Sequence, residues 1–227
     1  MRFRDRADAG RRLAGLLLPY RGADVRVLGL ARGGVRVAFE VARALEAPLD
    51  MWVARHLGSA SNAPNVGAVS EGGGLYLDSE AARLSLVPEV ELRALATEEL
   101  SDIERHARQL RDRPPPEVRG CTVLLVDDGM VTGSTLCASI RALRQLGPRR
   151  IVAGAGVATA RALEVVRAEA DAVLCVEVSP GMGAVSEAYD DFRPVTDVEM
   201  EQLLEVARLP APSHAVLDST DLGGRWM

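Results

Sequence analysis

One stretch limits what this chain can fold into more than any other: TVLLVDDGMVTGSTLCASIRALRQLG, residues 122–147. Val123, Leu124, Leu125 and Val126 form an unbroken apolar run, short and β-branched enough for a strand buried on both faces of a parallel sheet. Two acids follow at once. At the carboxyl end of such a strand, Asp127 and Asp128 stand where open α/β sheets take their ligands. After the turn GMVTGST, Leu136, Ile140 and Leu143 recur at helical spacing until Gly147 and Pro148 stop the helix.

Each part of this unit has a chemical use. The first N–H groups of a helix lack internal partners and carry the positive end of its dipole, so residues 132–135 can wrap a phosphate. Gly133 lets the main chain approach closely, and Thr132, Ser134 and Thr135 add hydroxyl donors. A carboxylate pair repels phosphate, so the acids must meet something else, and a vicinal diol offers two donors to acceptor-only groups. A ribose 5-phosphate meets both demands. An acidic turn followed by a Ser/Thr helix cap uses the same residues without any ligand, and local sequence leaves that reading open. Two common nucleotide motifs are excluded. A P-loop needs a lysine, which this chain lacks entirely, and a Rossmann site puts its acid after the glycines, not before them.

VLLVDDGMVTGST resembles the phosphoribosyl pyrophosphate (PRPP) motif of type I phosphoribosyltransferases, and most closely that of bacterial phosphoribosyltransferase-like proteins with RGG and VDDGxxTG motifs. The resemblance covers almost the whole chain, from FRDR to the last helix. It implies loss of pyrophosphate from C1′ of PRPP and attack by a nitrogen nucleophile on the opposite face, with Mg²⁺ on the pyrophosphate as cofactor. Asp127 and Asp128 would then orient the ribose hydroxyls and contribute to the metal's surroundings. Gly129, Met130, Val131, Thr132, Gly133, Ser134 and Thr135 would complete the cradle.

A second strand, Val25–Leu30, runs into Ala31-Arg32-Gly33-Gly34 before a helix over 35–45. Glycines between strand and helix suit an anion-binding turn, and equally a turn that needs positive φ. The resemblance makes this the pyrophosphate loop, with LARGG where close relatives have LPRGG; Arg32 would hold pyrophosphate, and the peptide near Ala31-Arg32 is expected to be strained or cis. A third strand over 49–54 leads to Arg55-His56-Leu57-Gly58 and an irregular span, expected to be a mobile loop over about 57–77. Here the chain departs from its relatives, which tend to read RKxG and NPExAxGAV; RHLG and NAPNVGAV put His56 where a lysine would help neutralise the leaving group. His56 is thus a candidate catalytic group or a half-buried ring at a strand end. Glu71 and Gly72 survive the change.

The remaining pattern alternates strands and helices, which gives a doubly wound, mostly parallel α/β sheet. Residues 4–18 read as an amphipathic helix with Arg2, Arg4, Arg6, Arg11 and Arg12 on a solvated face, and 88–113 as a long helix on which His106 is a solvated or packing residue. Strands over 151–157 and Ala172–Val178 flank a helix capped by Thr159, and Thr196 starts a helix to 208. The resemblance marks 179–195 as a hood near the acceptor, where Tyr189 and Phe192 could stack on a planar base or simply anchor the loop. The layout expected is one domain over 1–209 and a loose tail over 210–227.

Net charge is −5 and pI near 5.4, so small anions at local sites are expected as partners, not nucleic acid. With no apolar run long enough for a bilayer and no signal-peptide core, a cytoplasmic chain without membrane partners is expected. Cys121, Cys137 and Cys175 lack CxxC spacing and read as reduced core thiols. Members of this fold often pair, so a homodimer is a further expectation. In 6-oxopurine transferases the residue before TG is an aspartate that can take the base's proton; Val131 at that place argues against hypoxanthine and guanine as acceptors. The acceptor stays open, and so does a second function, a PRPP- or nucleotide-binding regulator with weak turnover.

Overall fold

A computed structural model describes residues 2–58, 65–111 and 114–208. The elements are α1 (Arg6–Leu17), β1 (Val25–Leu30), α2 (Gly33–Leu45), β2 (Leu49–Trp52), β3 (Ala54–Leu57), β4 (Gly67–Ser70), β5 (Gly74–Leu77), α3 (Ser79–Ser85), α4 (Glu89–Arg111), β6 (Thr122–Met130), α5 (Ser134–Gln145), β7 (Arg150–Ala158), α6 (Ala160–Arg167), β8 (Ala172–Val178) and α7 (Asp197–Arg208). Five strands form a parallel sheet in the order β2-β1-β6-β7-β8. The chain runs outward in one direction from β1 to β2 and in the other from β6 to β8. The switch point therefore lies between β1 and β6, the place where open α/β sheets hold ligands.

Alternation along each strand builds the two faces. Val25 and Val27 of β1, with Leu124 and Val126 of β6, enter the core that α1 and α2 cover through Leu13, Leu17, Val35 and Val41. Leu28, Leu30, Val123 and Leu125 go to the opposite face, under Leu136, Ile140 and Leu143 of α5. Residues in both sets are nearly solvent-free, which is why β6 reads as a continuous apolar run.

The span over 57–77, expected to be irregular, is instead largely β-structure: β3, β4 and β5 form a separate antiparallel sheet packed on α5. Its sequence is masked by glycines at forced close approaches; a Cβ on Gly74 would lie 2.0 Å from the Ala138 carbonyl and one on Gly67 2.1 Å from that of Tyr76. Residues 59–64 of the expected loop, and the 210–227 tail, lie outside the described residues. The single strand expected over 49–54 breaks at Val53. Its N–H donates to the Glu71 carboxylate (2.8 Å) and its carbonyl accepts from the Glu71 N–H (2.9 Å), so the chain leaves the main sheet there. Arg111, 3% exposed, grips Glu71 with two N–H groups at 2.7 and 2.8 Å and donates to the Met51 carbonyl, while its Nε lies 3.4 Å from Asp50. That buried charge cluster joins α4 and the small sheet to the edge of the large one. The long helix otherwise runs close to the expected 88–113, and the caps at Thr159 and Thr196 form as read, accepting from the N–H groups of Ala162 (3.0 Å) and Glu199 (3.1 Å).

Candidate functional site

β6 is longer than its apolar run suggests, and the excess length creates the site. Its pairing with β1 ends at Gly29↔Val126, while pairing with β7 continues to Met130↔Ala158. From Asp127 onward one flank of β6 is therefore open. β1 turns away at Ala31, where the Ala31–Arg32 peptide is cis, as the resemblance implies. The gap is a cavity of about 500 Å³ whose wall includes Ala31, Gly33, His56, Asp127, Asp128 and Thr132. Gly129, Met130, Val131, Gly133 and Thr135 also line it, and Gly183 and Val185 reach it from the hood.

The turn into α5 depends on Gly133. Its φ of 79° is left-handed, and a Cβ there would lie 2.7 Å from a Val166 methyl. Thr132 and Ser134 hydroxyls meet at 3.0 Å. Thr159 holds the same turn from β7, its hydroxyl donating to the Val131 carbonyl at 2.7 Å. The opening N–H groups of α5, which have no partner within the helix, thus stand a few residues beyond the acids. On the facing loop Gly34 packs against β6, where a Cβ would be 2.6 Å from the Val126 carbonyl.

The acid pair is asymmetric. Both acids are half-buried, and at Asp127 burial, followed by repulsion from Asp128, raises the carboxyl pKa well above the ordinary range. Its Oδ1 accepts from the Asp128 N–H at 2.8 Å. Asp128 is held by Arg6, whose Nε donates to Oδ2 at 2.7 Å; the two side chains are 10% and 14% exposed. Arg6 was expected on a solvated face, and this is a correction. The missed signal lies in the residues around it. Asp5 caps α1, and Ala7, Ala9 and Gly10 keep its first turns small enough to lie flat against the fold, with a Cβ on Gly10 only 2.6 Å from the Val37 carbonyl. On this seated turn Arg6 points into the fold, 9% exposed.

Other expected site residues lie differently. Arg32 does not line this cavity: its guanidinium pairs with Asp197 at the start of α7, in a second cavity of about 350 Å³ shared with Arg6, Arg55 and His106. The Asp197 carboxyl is held below its ordinary value, chiefly by that hydrogen bond from Arg32. His106, read as solvated or packing, lies 3.8 Å from Asp197. His56 does line the main cavity and shares a 2.8 Å hydrogen bond with Asn65; partial desolvation in the cleft lowers its pKa, against hydrogen bonds involving Gly67 and Asn65.

Of Tyr189 and Phe192, for which acceptor stacking and loop anchoring were both open, the first is buried and the second half-buried. Tyr189 is 2% exposed, stacks between Phe3 and Phe192, and donates its hydroxyl to the Asp128 carbonyl at 2.6 Å. Phe192 has its ring covered by the Arg6 guanidinium at 3.8 Å. Of the two readings open from sequence, anchoring fits these contacts. Cys121 and Cys137 are buried and Cys175 half-buried, all three with free thiols.

A family model described as phosphoribosyl transferase domain matches residues 4–191. The chain belongs to the phosphoribosyl transferase family. Two Mycobacterium tuberculosis sequences, each named "Putative phosphoribosyl transferase", are 34% identical over 222 residues, which is 96% of this chain and 49% of theirs. The chain thus spans about half the length of the curated relatives it matches. Among solved structures, that of the protein TT1426 from Thermus thermophilus superposes with a TM-score of 0.74 at 40% identity, covering 90% of this chain and 98% of that one. Transfer of a phosphoribosyl group is the general chemistry that the family's name describes, and the fold of this chain is a five-stranded parallel sheet with flanking helices.

Proposed function

We propose that the chain binds PRPP in the cavity between β1 and β6 and transfers its phosphoribosyl group to a nitrogen acceptor, a nucleobase or an amine, releasing pyrophosphate. The reading is carried by one meeting of groups: Asp127 and Asp128, the turn into α5 at Gly133 and Thr135, and Ala31 and Gly33 border a single cavity. The α5 end takes the 5′-phosphate through the amides and hydroxyls of residues 132–135. Asp127 and Asp128 accept from the ribose hydroxyls and favour positive charge as it develops at C1′. The loop of Ala31, Arg32, Gly33 and Gly34 takes pyrophosphate, for which Arg32 exchanges Asp197 for the anion. Alignment of C1′ between leaving group and acceptor supplies much of the rest.

The described residues hold no group of three His, Cys, Asp or Glu side chains placed for a resident ion. Asp127 and Asp128 would lie beside a divalent cation that accompanies PRPP, and Mg²⁺ there would supply positive charge to the leaving group. The acceptor enters beside Gly183 and Val185, the hood residues on the cavity wall. Val131 offers no proton acceptor, so hypoxanthine and guanine are not substrates; Val131→Asp is expected to admit hypoxanthine if that residue alone sets the choice.

The test is to incubate the protein with PRPP, Mg²⁺ and a panel of nucleobases and amines while measuring pyrophosphate. Acceptor-dependent release supports the transferase. A histidine where relatives tend to carry a lysine favours a second reading, a regulator that binds PRPP or a nucleotide with little turnover. Binding of PRPP without acceptor-dependent release would select it, and absence of binding would end both.

A further inference from the structure

We infer that Arg6 is a positioning residue of the PRPP site, setting the Asp128 carboxylate from behind and tying it to the hood; this rests on the PRPP reading above. Two donors and one face of the guanidinium are engaged. Nε donates to Asp128 Oδ2 at 2.7 Å, Nη1 donates to the Arg193 carbonyl at 2.9 Å, and the flat face lies 3.8 Å over Phe192. A planar fork can do all three at once, whereas an ammonium cannot stack flat on a ring while donating sideways in fixed directions. Gly33 closes over the pair: a Cβ there would sit 2.1 Å from Asp128 Oδ2 and 2.9 Å from Arg6 Nε. Thus α1, the hood, the Ala31–Gly34 turn and the acid pair meet at one buried contact.

The contact decides which oxygens remain for substrate. Oδ2 of Asp128 is committed to Arg6, and Oδ1 of Asp127 to the Asp128 N–H. Each acid keeps one oxygen outside these two bonds, where a vicinal diol can meet the pair. Arg6 also offsets one of two adjacent negative charges beside a site proposed to receive phosphate and pyrophosphate. Without it Asp128 would turn freely, and its repulsion toward both Asp127 and the substrate would rise.

The experiment is calorimetric titration with PRPP and Mg²⁺ of wild type, Arg6→Gln, Arg6→Lys, Asp128→Asn and the Arg6→Gln/Asp128→Asn double variant, with thermal unfolding of each. Arg6→Gln is expected to weaken PRPP about ten-fold, a coupling of ordinary size for a contacting charged pair. Arg6→Lys should recover only part of that loss. The double variant should bind no more weakly than Asp128→Asn alone, because Arg6 acts through that carboxylate. Full additivity, or wild-type affinity in Arg6→Gln, would overturn the inference. Should Arg6→Gln fail to fold, Arg6→Lys decides, and wild-type affinity there overturns it equally. Wild type that does not bind PRPP sinks the underlying reading and this inference with it, an outcome seen before any variant is compared.

Discussion

Two buried arginines in this protein hold carboxylates in opposite circumstances. Arg111 is enclosed on all sides, divides its donors among Glu71, the Met51 carbonyl and the flank of Asp50, and lines neither of the two cavities. Arg6 meets a single carboxylate, and that carboxylate opens onto the cavity beside β1. The first arrangement engages its acids from within and serves the join between two sheets. The second leaves its acid half-satisfied, which is the condition for receiving a ligand. Sequence composition does not separate the two, since both are Arg–acid pairs on amphipathic helices; the difference lies in what the far side of the carboxylate faces.

The comparison can be broken at either end. Arg111→Met should have the largest effect, because it removes both charged hydrogen bonds from the buried Glu71 carboxylate. A loss of about 3–5 kcal/mol is expected, lowering the thermal midpoint by roughly 10 °C, and a variant as stable as wild type in thermal unfolding would show the cluster to be dispensable. Asp128→Asn should cost far less stability, about 1 kcal/mol, but weaken PRPP by about ten-fold or more by calorimetry; unchanged affinity would remove Asp128 from the site.

A smaller effect follows from His56. Its folded pKa lies below the unfolded value of about 6.5, so above that value both states are neutral and the stability is fully present. As pH falls through the unfolded value toward the folded one, the unfolded chain takes up the proton first and stability declines. Denaturant midpoints measured from neutral pH down to mildly acidic pH should fall less in His56→Gln than in wild type, and parallel curves would refute the assignment. The smallest effect belongs to Asp197→Asn. The Arg32–Asp197 pair is 49% and 40% exposed, so stability should change by less than about 1 kcal/mol. Freed Arg32 should tighten PRPP by about two- to five-fold, and weaker binding would place Asp197 on the substrate's side of the contact.

Much of the fold was legible because the main sheet is built from local signals. Each parallel strand announces itself as an apolar run, and each helix by caps such as Thr159 and by stops such as Gly147. The small sheet over 54–77 was not, because its strands are four residues long and its glycines answer to contacts with Ala138 and Tyr76, remote or cross-strand, that leave no local trace. The site divides the same way. Its acids and the α5 turn are neighbours in sequence, and their joint presence in one cavity follows from one strand outrunning another. Arg6 comes from 122 positions away, and the rings of Tyr189 and Phe192 turned inward instead of toward the cavity.

What the sequence alone determined is therefore everything that neighbouring residues impose on one another: strand, acid pair, glycine-hinged turn and helix, in an order that fits few ligands. What only the tertiary structure decided is which charges are spoken for. Whether an arginine is solvated or clasped, whether an aspartate offers one oxygen or two, and whether a ring stacks on substrate or on protein depend on groups that meet only after the chain has closed. Desolvation makes those meetings obligatory, because a charge taken from water must find its partner wherever the fold supplies one.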